Sequence, residues 1–327
     1  MIKEDRHHVY PFFLIEKPGG TEMEGILPLF KPKGMTSHDC VFKLRKILRM
    51  KRIGHTGTLD PEVDGVLPIC LGRATKVAEY ITDAGKVYEG EVTIGFATTT
   101  EDATGEVIER KDIETLITRE QVKAVLLELT GEISQTPPMY SAVKVNGKRL
   151  YEYARKGIEV ERPTRQVTIY SIELLDDREV FEGETISFKF RVACSKGTYI
   201  RTLAVMIGER LGYPAHMSDL RRTESASFSL DDCKTLSEVE EMVNNGTILN
   251  ALYPIERALI HLPKYQISDK LVEKVKNGAV LETPEILQDI KQPVVLETMD
   301  HKALAIYMHH PHKPNLMKPT KVLHIEN

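Results

Sequence analysis

Residues 186–201 read ISFKFRVACSKGTYIR and carry the clearest structural pattern in the chain. Apolar and polar side chains alternate strictly over the first nine positions, which predicts a strand with one buried face. The turn at Ser195-Lys196-Gly197 leads into a helix near Tyr199. Apolar residues at 200, 203, 207 and 211 share one helical face, and Gly212 follows as a stop signal.

Other segments extend this mixture of strands and helices. We predict a helix from the N-cap Ser37 to about residue 49, a half-buried strand over residues 87–96, and a helix over residues 118–129 opened by a Thr118/Gln121 capping box. No regular βαβ rhythm links them. The sequence therefore predicts an α+β fold with a mainly antiparallel mixed sheet.

The chain divides into three predicted parts. Residues 1–22 show no sustained period and are expected to be an extension outside the fold, with Met23 as the native start. Residues 23–255 form the predicted main domain. Pro254 and Pro263 mark a break, after which short β-like runs predict a small β-rich C-terminal module over residues 256–327.

Composition is typical of a globular protein: 41% of the 327 residues are hydrophobic and 28% are charged. No apolar run approaches the roughly 20 residues that a membrane helix needs, and no signal peptide is indicated. The four cysteines are scattered and fit no zinc pattern. We expect reduced thiols, no membrane association and a cytoplasmic location.

Charge is unevenly distributed although the net charge is only -4. Residues 31–76 contain ten Lys or Arg against four Asp or Glu, and residues 144–166 contain seven against three. Residues 101–134 have the opposite bias, with nine acidic residues against four basic ones. Such segregation suits either a phosphate-binding face or an ordinary solvated surface, and charge alone does not separate them.

The loop of residues 54–65, GHTGTLDPEVDG, has the density of polar groups expected of a chemical site. Asp60 precedes a proline, and the neighbouring glycines allow tight backbone geometry, so this carboxylate could be held in a cleft. Asp64 is an equal competitor on spacing alone. A His55–Asp60 dyad is possible, but no Ser or Cys nucleophile with a recognisable elbow accompanies it, and no metal-binding His pattern is present.

Three residues elsewhere could complete a site. Arg201 lies at the start of the predicted helix, where its guanidinium could hold a carboxylate ionised. Tyr88 and Tyr199 lie at the ends of elements and could stack on a base, although a tyrosine taken alone more often belongs to the core than to a site. Glycine-rich phosphate loops are absent, which argues against a nucleotide cofactor.

Seven sequence blocks, in order, resemble the signature of the TruB family of tRNA pseudouridine-55 synthases. They are residues 31–37 (KPKGMTS), 54–61 (GHTGTLDP), 72–76 (GRATK), 86–88 (KVY), 138–144 (PMYSAVK), 194–202 (CSKGTYIRT) and 220–223 (LRRT). The C-terminal region looks like the PUA-type RNA-binding module of bacterial members. The resemblance implies the pseudouridine synthase fold, in which a central cleft splits the sheet.

This resemblance also implies an activity: isomerisation of uridine 55 in the T-loop of tRNA by a monomer, without cofactor or metal. Asp60 aligns with the catalytic nucleophile, and Arg201 would pair with it. Tyr88 would stack on the flipped uracil, with Tyr199 and Leu220 lining the pocket. His55 would fill the space that the base leaves, while Lys31 and the basic residues of 43–52 would contact phosphates.

Some positions depart from the family pattern. Val63-Asp64 stand where many members have a small residue and a hydroxyl, so the role of Asp64 stays open. Thr99 stands where some members have Asp, while Asp102 keeps a nearby carboxylate for Arg201 or RNA. Ala226 replaces a common glycine. The alternative function, which uses the same basic face without Asp60, is that of a non-catalytic tRNA-folding or RNA-binding protein.

Overall fold

The computed structural model describes residues 15–17 and 20–323. Its α-helices are α1 (Ser37–Ile47), α2 (Ala78–Asp83), α3 (Arg119–Glu128), α4 (Leu150–Ala154), α5 (Ile200–Leu211), α6 (Leu236–Asn244), α7 (Ile255–Ala258) and α8 (Asp269–Lys276). Its strands are β1 (Ile15–Lys17), β2 (Gly20–Glu22), β3 (Gly25–Lys31), β4 (Ile53–His55), β5 (Asp64–Leu71), β6 (Lys86–Ile94), β7 (Phe96–Thr98), β8 (Val107–Arg110), β9 (Ile117–Thr118), β10 (Gly131–Gln135), β11 (Lys144–Val145), β12 (Lys148–Arg149), β13 (Arg165–Leu174), β14 (Val180–Phe181), β15 (Ile186–Cys194), β16 (Ala215–Ser225), β17 (Phe228–Ser229), β18 (Lys264–Gln266), β19 (Leu281–Glu282), β20 (Val294–Glu297), β21 (Ala303–His309) and β22 (Leu316–Val322).

The described residues fall into two compact units. Unit 1 consists of the described residues within Met1–Pro61, Val66–Thr82 and Ala226–Asn327. Unit 2 takes Glu62–Gly65 and Asp83–Ser225. The boundary crosses the loop of residues 54–65, so Asp60 belongs to unit 1 and Asp64 to unit 2.

Unit 2 is built on five antiparallel strands in the order β10-β13-β15-β6-β16. β15 occupies the residues predicted for it, and its apolar positions are buried while the intervening positions are at least partly exposed. The opening residues of β5, Asp64 and Gly65, pair in parallel with β16. Helix α5 contacts β16 and ends at Gly212 in the left-handed conformation, as predicted. The mainly antiparallel mixed sheet is confirmed, whereas the central cleft stays a prediction.

In unit 1, β4 pairs antiparallel with the rest of β5, and β3 lies next to β5. Helix α1 buries Cys40, Val41 and Leu44 in a core shared with these strands. Its N-cap is Thr36, one residue earlier than predicted, because Thr36 forms a capping box with Asp39. Ser37 is buried instead, which frees its hydroxyl for another role described below.

The C-terminal part of unit 1 contains a five-stranded sheet in the order β18-β20-β21-β22-β19, which confirms the β-rich module. It contacts the segment before β6: the Tyr80 hydroxyl lies 2.8 Å from the hydroxyl of Thr320, and Lys76 donates to the carbonyl of Val322 at 2.8 Å. The predicted domain boundaries at residues 23 and 256 stay predictions.

Part of the predicted extension is described. β1 and β2 pair with each other as a short antiparallel ladder, so these six residues do have regular structure. Residues 1–14, and with them the question of the native start, lie outside the described residues. Within residues 15–17 and 20–323, no helix has the length and apolar character needed to cross a membrane.

Candidate active site

The loop of residues 54–65 connects β4 to β5 and carries Asp60 near its middle. Leu59 and Val63 on either side of it are buried, with exposed fractions of 4% and 3%, while Asp60 is half-buried. Burying these two apolar side chains fixes the backbone on both sides of a carboxylate that keeps some access to solvent. The loop thus presents Asp60 from anchored ends rather than from a mobile tip.

Hydrogen bonds within unit 1 reinforce the loop directly beside Asp60. The Leu59 backbone N–H donates to the buried Ser37 hydroxyl oxygen at 2.9 Å. On the other side, the carbonyl of Pro61 accepts from the Gly34 N–H at 2.9 Å and from the Lys31 ammonium at 3.1 Å. The segment from Lys31 to Ser37 therefore holds the residue before Asp60 and the residue after it.

Lys31, which the sequence predicts to contact RNA phosphate, lies in the interior of unit 1. Its side chain is fully buried, and its ammonium also donates to the Pro32 carbonyl at 2.8 Å. A contact with RNA phosphate needs an accessible ammonium. The Lys31 ammonium thus supports the Asp60 loop through backbone carbonyls, and its predicted contact with phosphate stays a prediction.

Asp64, which the sequence left unassigned, forms a bidentate ion pair with Arg221. Arg221 Nε and Nη2 each lie 2.8 Å from one of its carboxylate oxygens. Asp64 is buried and Arg221 is half-exposed, and the hydrogen bonds to Asp64 raise the pKa of the guanidinium. Both carboxylate oxygens of Asp64 are engaged by this partner, which removes it as an equal competitor of Asp60.

Gly65 fixes the point at which the loop enters β5. Its φ is 115°, and a Cβ atom here would lie 2.1 Å from the Arg222 carbonyl oxygen. No side chain fits that space, so only glycine allows the close parallel pairing of β5 with β16. The loop end is consequently set by backbone contact as well as by the Asp64–Arg221 pair.

Arg201 lies in the first turn of α5 in unit 2 and is 6% exposed. Its guanidinium donates to the carbonyls of Thr100 at 3.0 Å and Tyr140 at 2.8 Å, and lies 3.7 Å from Asp102. Asp102 also accepts hydrogen bonds from the hydroxyls of Thr100 and Thr104. Asp102 thus serves Arg201, one of the two roles that the sequence left open for it. The predicted pairing of Arg201 with Asp60 stays a prediction.

The other predicted pocket residues of unit 2 lie on neighbouring elements. Tyr88 in β6 and Leu220 in β16 are buried, on two strands that pair antiparallel. Tyr199 is the half-buried N-cap of α5, and its backbone is fixed by two hydrogen bonds with the side chain of Gln135. Arg165 lies over its ring, 5.6 Å from the centroid. The contacts of Tyr88, Leu220 and Tyr199 with uracil stay predictions.

His55, in unit 1, is half-buried at the end of β4 opposite Ile69. The basic residues of 43–52 that precede it are all exposed: Lys43, Arg45, Lys46, Arg49, Lys51 and Arg52. These side chains are available to an anionic ligand, in contrast to Lys31. The roles of His55 and of the basic residues in RNA binding stay predictions.

Lys86 is a buried cation that the sequence did not single out as a site residue. It opens β6, two residues before Tyr88, and its ammonium donates to the Ala84 carbonyl at 2.9 Å. Burial, with a smaller contribution from Arg222, lowers the pKa of Lys86 to about 8. The only signal in the sequence was its place in the KVY block, which says nothing about burial.

Burial raises the pKa of Glu101, whose carboxylate accepts a hydrogen bond from the Thr202 hydroxyl at 2.7 Å. Within the described parts of the chain, no group of three or more His, Cys, Asp or Glu side chains could hold a metal ion.

Two family models match the chain. The TruB family pseudouridylate synthase N-terminal domain matches residues 45–200, and the tRNA pseudouridylate synthase B C-terminal domain matches residues 201–260. Together they include the whole loop of residues 54–65 and every predicted site residue except Lys31.

Curated relatives match over nearly their full length. The protein named tRNA pseudouridine synthase B from Geobacillus thermodenitrificans (strain NG80-2) is 65% identical over 300 residues, which cover 92% of this chain and 99% of that protein. The protein of the same name from Bacillus cytotoxicus (strain DSM 22905 / CIP 110041 / 391-98 / NVH 391-98) is 62% identical over 301 residues, covering 92% of this chain and 97% of the relative.

A solved structure shares the fold. The crystal structure of a Cbf5-Nop10-Gar1 complex includes a chain that is 30% identical, with a TM-score of 0.69; the match covers 92% of this chain and 85% of that one. The pseudouridine synthase fold predicted from the sequence is confirmed. The chain belongs to the TruB family of pseudouridylate synthases.

Proposed function

We propose that the protein isomerises uridine 55 in the T-loop of tRNA to pseudouridine, with Asp60 as the nucleophile. The observation that carries the proposal is the half-buried Asp60 carboxylate, held by hydrogen bonds at the residue before it and the residue after it. The relatives named tRNA pseudouridine synthase B, at 65% and 62% identity, support tRNA as the substrate.

The reaction conserves every atom of the nucleoside apart from one exchanged hydrogen. The N1–C1′ glycosidic bond breaks, the uracil rotates, and C5 forms a bond to C1′ while the hydrogen on C5 leaves as a proton and N1 gains one. An ionised carboxylate provides the nucleophile that such a bond exchange needs. The target base must leave the stack to reach it.

The other predicted residues have supporting roles. Arg201 is a buried cation whose pairing with Asp60, carried over from the family resemblance, would keep the carboxylate ionised. Tyr88 would stack on the flipped base, beside Leu220 and Tyr199, and His55 would enter the space that the base leaves. We propose that the protein acts as a monomer, in the cytoplasm, without cofactor or metal.

The test is tritium release from a tRNA transcript labelled at uridine C5, with pseudouridine mapped by chemical modification and primer extension. Wild-type protein should release label from position 55, and Asp60→Asn should release none. Glu62→Gln is the matched control, since it removes an exposed carboxylate two residues away and should retain turnover. Equal release by Asp60→Asn and wild type would refute Asp60 as the nucleophile; modification at another uridine would refute the position.

A further inference from the structure

The exposed face of α1 and the residues that follow it form a hollow of about 300 Å³ that takes no part in the proposed bond exchange. Phe42, Arg45 and Lys46 line it from helical positions spaced by three and four residues, and Arg49, Met50 and Lys51, which follow the helix, complete it. None of these six lining residues is a carboxylate. The hollow therefore combines an aromatic ring with four cationic side chains.

Phe42 is the unusual member of this set. Its side chain is 55% exposed, although the opposite face of α1 buries Val41 and Leu44 in the core. The Lys46 ammonium lies 4.5 Å from the centre of the Phe42 ring, in cation–π geometry. An exposed aromatic face beside a cation is the arrangement on which nucleic-acid bases stack.

A simpler explanation covers only part of the hollow. Basic residues in the last turn of a helix interact favourably with its dipole, which accounts for Arg45 and Lys46. It does not account for the exposed ring or for Arg49. Arg49 follows the C-cap with φ of 52°, a left-handed conformation that glycine adopts without strain and arginine does not.

We propose that this hollow binds a nucleotide of the RNA substrate other than the reacting uridine. Its base stacks on Phe42, and its phosphate lies among Arg45, Lys46, Arg49 and Lys51. This inference rests on the proposed function, because it names a second contact of the same RNA. Four cations without a lining carboxylate favour a polyanionic ligand. The Phe42 ring adds a stacking surface, which a nucleotide base uses and a free phosphate does not.

The position of the hollow fits one continuous RNA. Lys51 precedes His55 by four residues in the same unit, so their Cα atoms lie no more than about 14 Å apart. An RNA strand bound at His55 therefore lies within reach of Lys51, one of the residues that line the hollow. The contact would add affinity outside the chemical step.

The experiment is equilibrium binding of unmodified tRNA transcript to the full chain in the Asp60→Asn background, at several salt concentrations. Phe42→Ala should raise Kd about tenfold while leaving the salt dependence unchanged, because it removes a stacking face and no charge. Lys46→Gln should lower the slope of log K against log salt by about one. In otherwise wild-type protein, the double variant should raise KM for tRNA by at least tenfold.

Helix α3 offers a matched control. Leu127 is 74% exposed and Lys123 lies four residues before it, so Leu127→Ala/Lys123→Gln makes the same two kinds of change on another helix. We expect wild-type Kd and salt dependence for it. The inference would be overturned if the Phe42 and Lys46 variants had the same Kd for tRNA as this control. It would also be overturned if sedimentation showed that these variants lose self-association while they still bind tRNA. If wild type bound tRNA but made no pseudouridine, the proposed function would fail separately.

Discussion

Asp64 and Arg221 lie 157 positions apart in the chain and form a bidentate ion pair, with both nitrogen–oxygen distances at 2.8 Å. The pair fixes the end of the loop of residues 54–65 at the point where β5 begins. It forms where Asp64 stands opposite Arg221 in the parallel pairing of β5 with β16. A carboxylate that looked like a second candidate for chemistry thus has a structural partner.

We predict that the two residues are energetically coupled. Asp64→Ala leaves a half-exposed guanidinium without its carboxylate, and Arg221→Ala leaves a buried carboxylate. Each change should lower the free energy of unfolding by about 1–3 kcal/mol. Urea unfolding of both single variants and the double variant forms a double-mutant cycle, in which we expect coupling of about 1 kcal/mol or more. Additive effects would show that the ion pair contributes nothing beyond its separate side chains.

Ser37 links helix α1 to the residue before Asp60. Ser37→Ala leaves the buried Leu59 N–H without its 2.9 Å acceptor, which should lower stability by about 1–2 kcal/mol. Because Leu59 adjoins Asp60, we also expect kcat for pseudouridine formation to fall roughly tenfold. Thr36→Ala is the control, since it removes the N-cap of the same helix and costs about 1 kcal/mol without touching Leu59. A kcat equally reduced in both variants would argue against positioning by Ser37.

Ala226 has φ of 56°, in the left-handed region. Since a Cβ atom is unfavourable in this left-handed region, Ala226→Gly should raise the free energy of unfolding by about 0.5–1 kcal/mol. Ala204 is a buried residue inside α5, where Ala204→Gly should be destabilising by about 1 kcal/mol. Urea unfolding distinguishes the two signs; destabilisation by both substitutions would mean that strain at Ala226 is negligible.

The sequence predicted well the features that depend on local patterns. Strict alternation placed β15 at its observed residues, and the Thr118/Gln121 capping box opens α3 as expected. These signals operate over a few residues, so they are visible without the fold. Thr36 and Ser37 are adjacent, and either hydroxyl could cap helix α1. The prediction of Ser37 as the N-cap was wrong, because only packing shows that Ser37 is buried and that Thr36 caps the helix.

The features that the sequence missed depend on contacts between distant segments. The burial of Lys31 follows from the loop at Pro61, 30 positions away, and the partner of Asp64 comes from β16. A lysine in a basic stretch carries no local sign that its ammonium faces carbonyls. Asp60 itself was identified through family resemblance, since spacing alone left Asp64 equally eligible.

Lys86 makes stability depend on pH in a defined direction. Its pKa is about 8 in the folded protein and about 10.4 in an unfolded chain. Below pH 8 both states carry the proton, so the cost of burying the charge is fully present. Between pH 8 and about 10 the unfolded state binds more protons than the folded state. The contribution of Lys86 to the free energy of unfolding therefore becomes more favourable to the folded state as the pH rises.

The measurement compares wild type with Lys86→Met by urea unfolding at pH 7.5 and pH 9.5. The variant corrects for other groups, such as the buried thiol of Cys194, whose pKa is raised to about 11 and whose titration works in the opposite direction. We expect wild type to gain about 2 kcal/mol relative to the variant across this interval, since each unit of pKa difference corresponds to about 1.4 kcal/mol. Parallel pH dependence in the two proteins would mean that Lys86 titrates as an exposed lysine does, and that its ammonium is solvated despite its position at the start of β6.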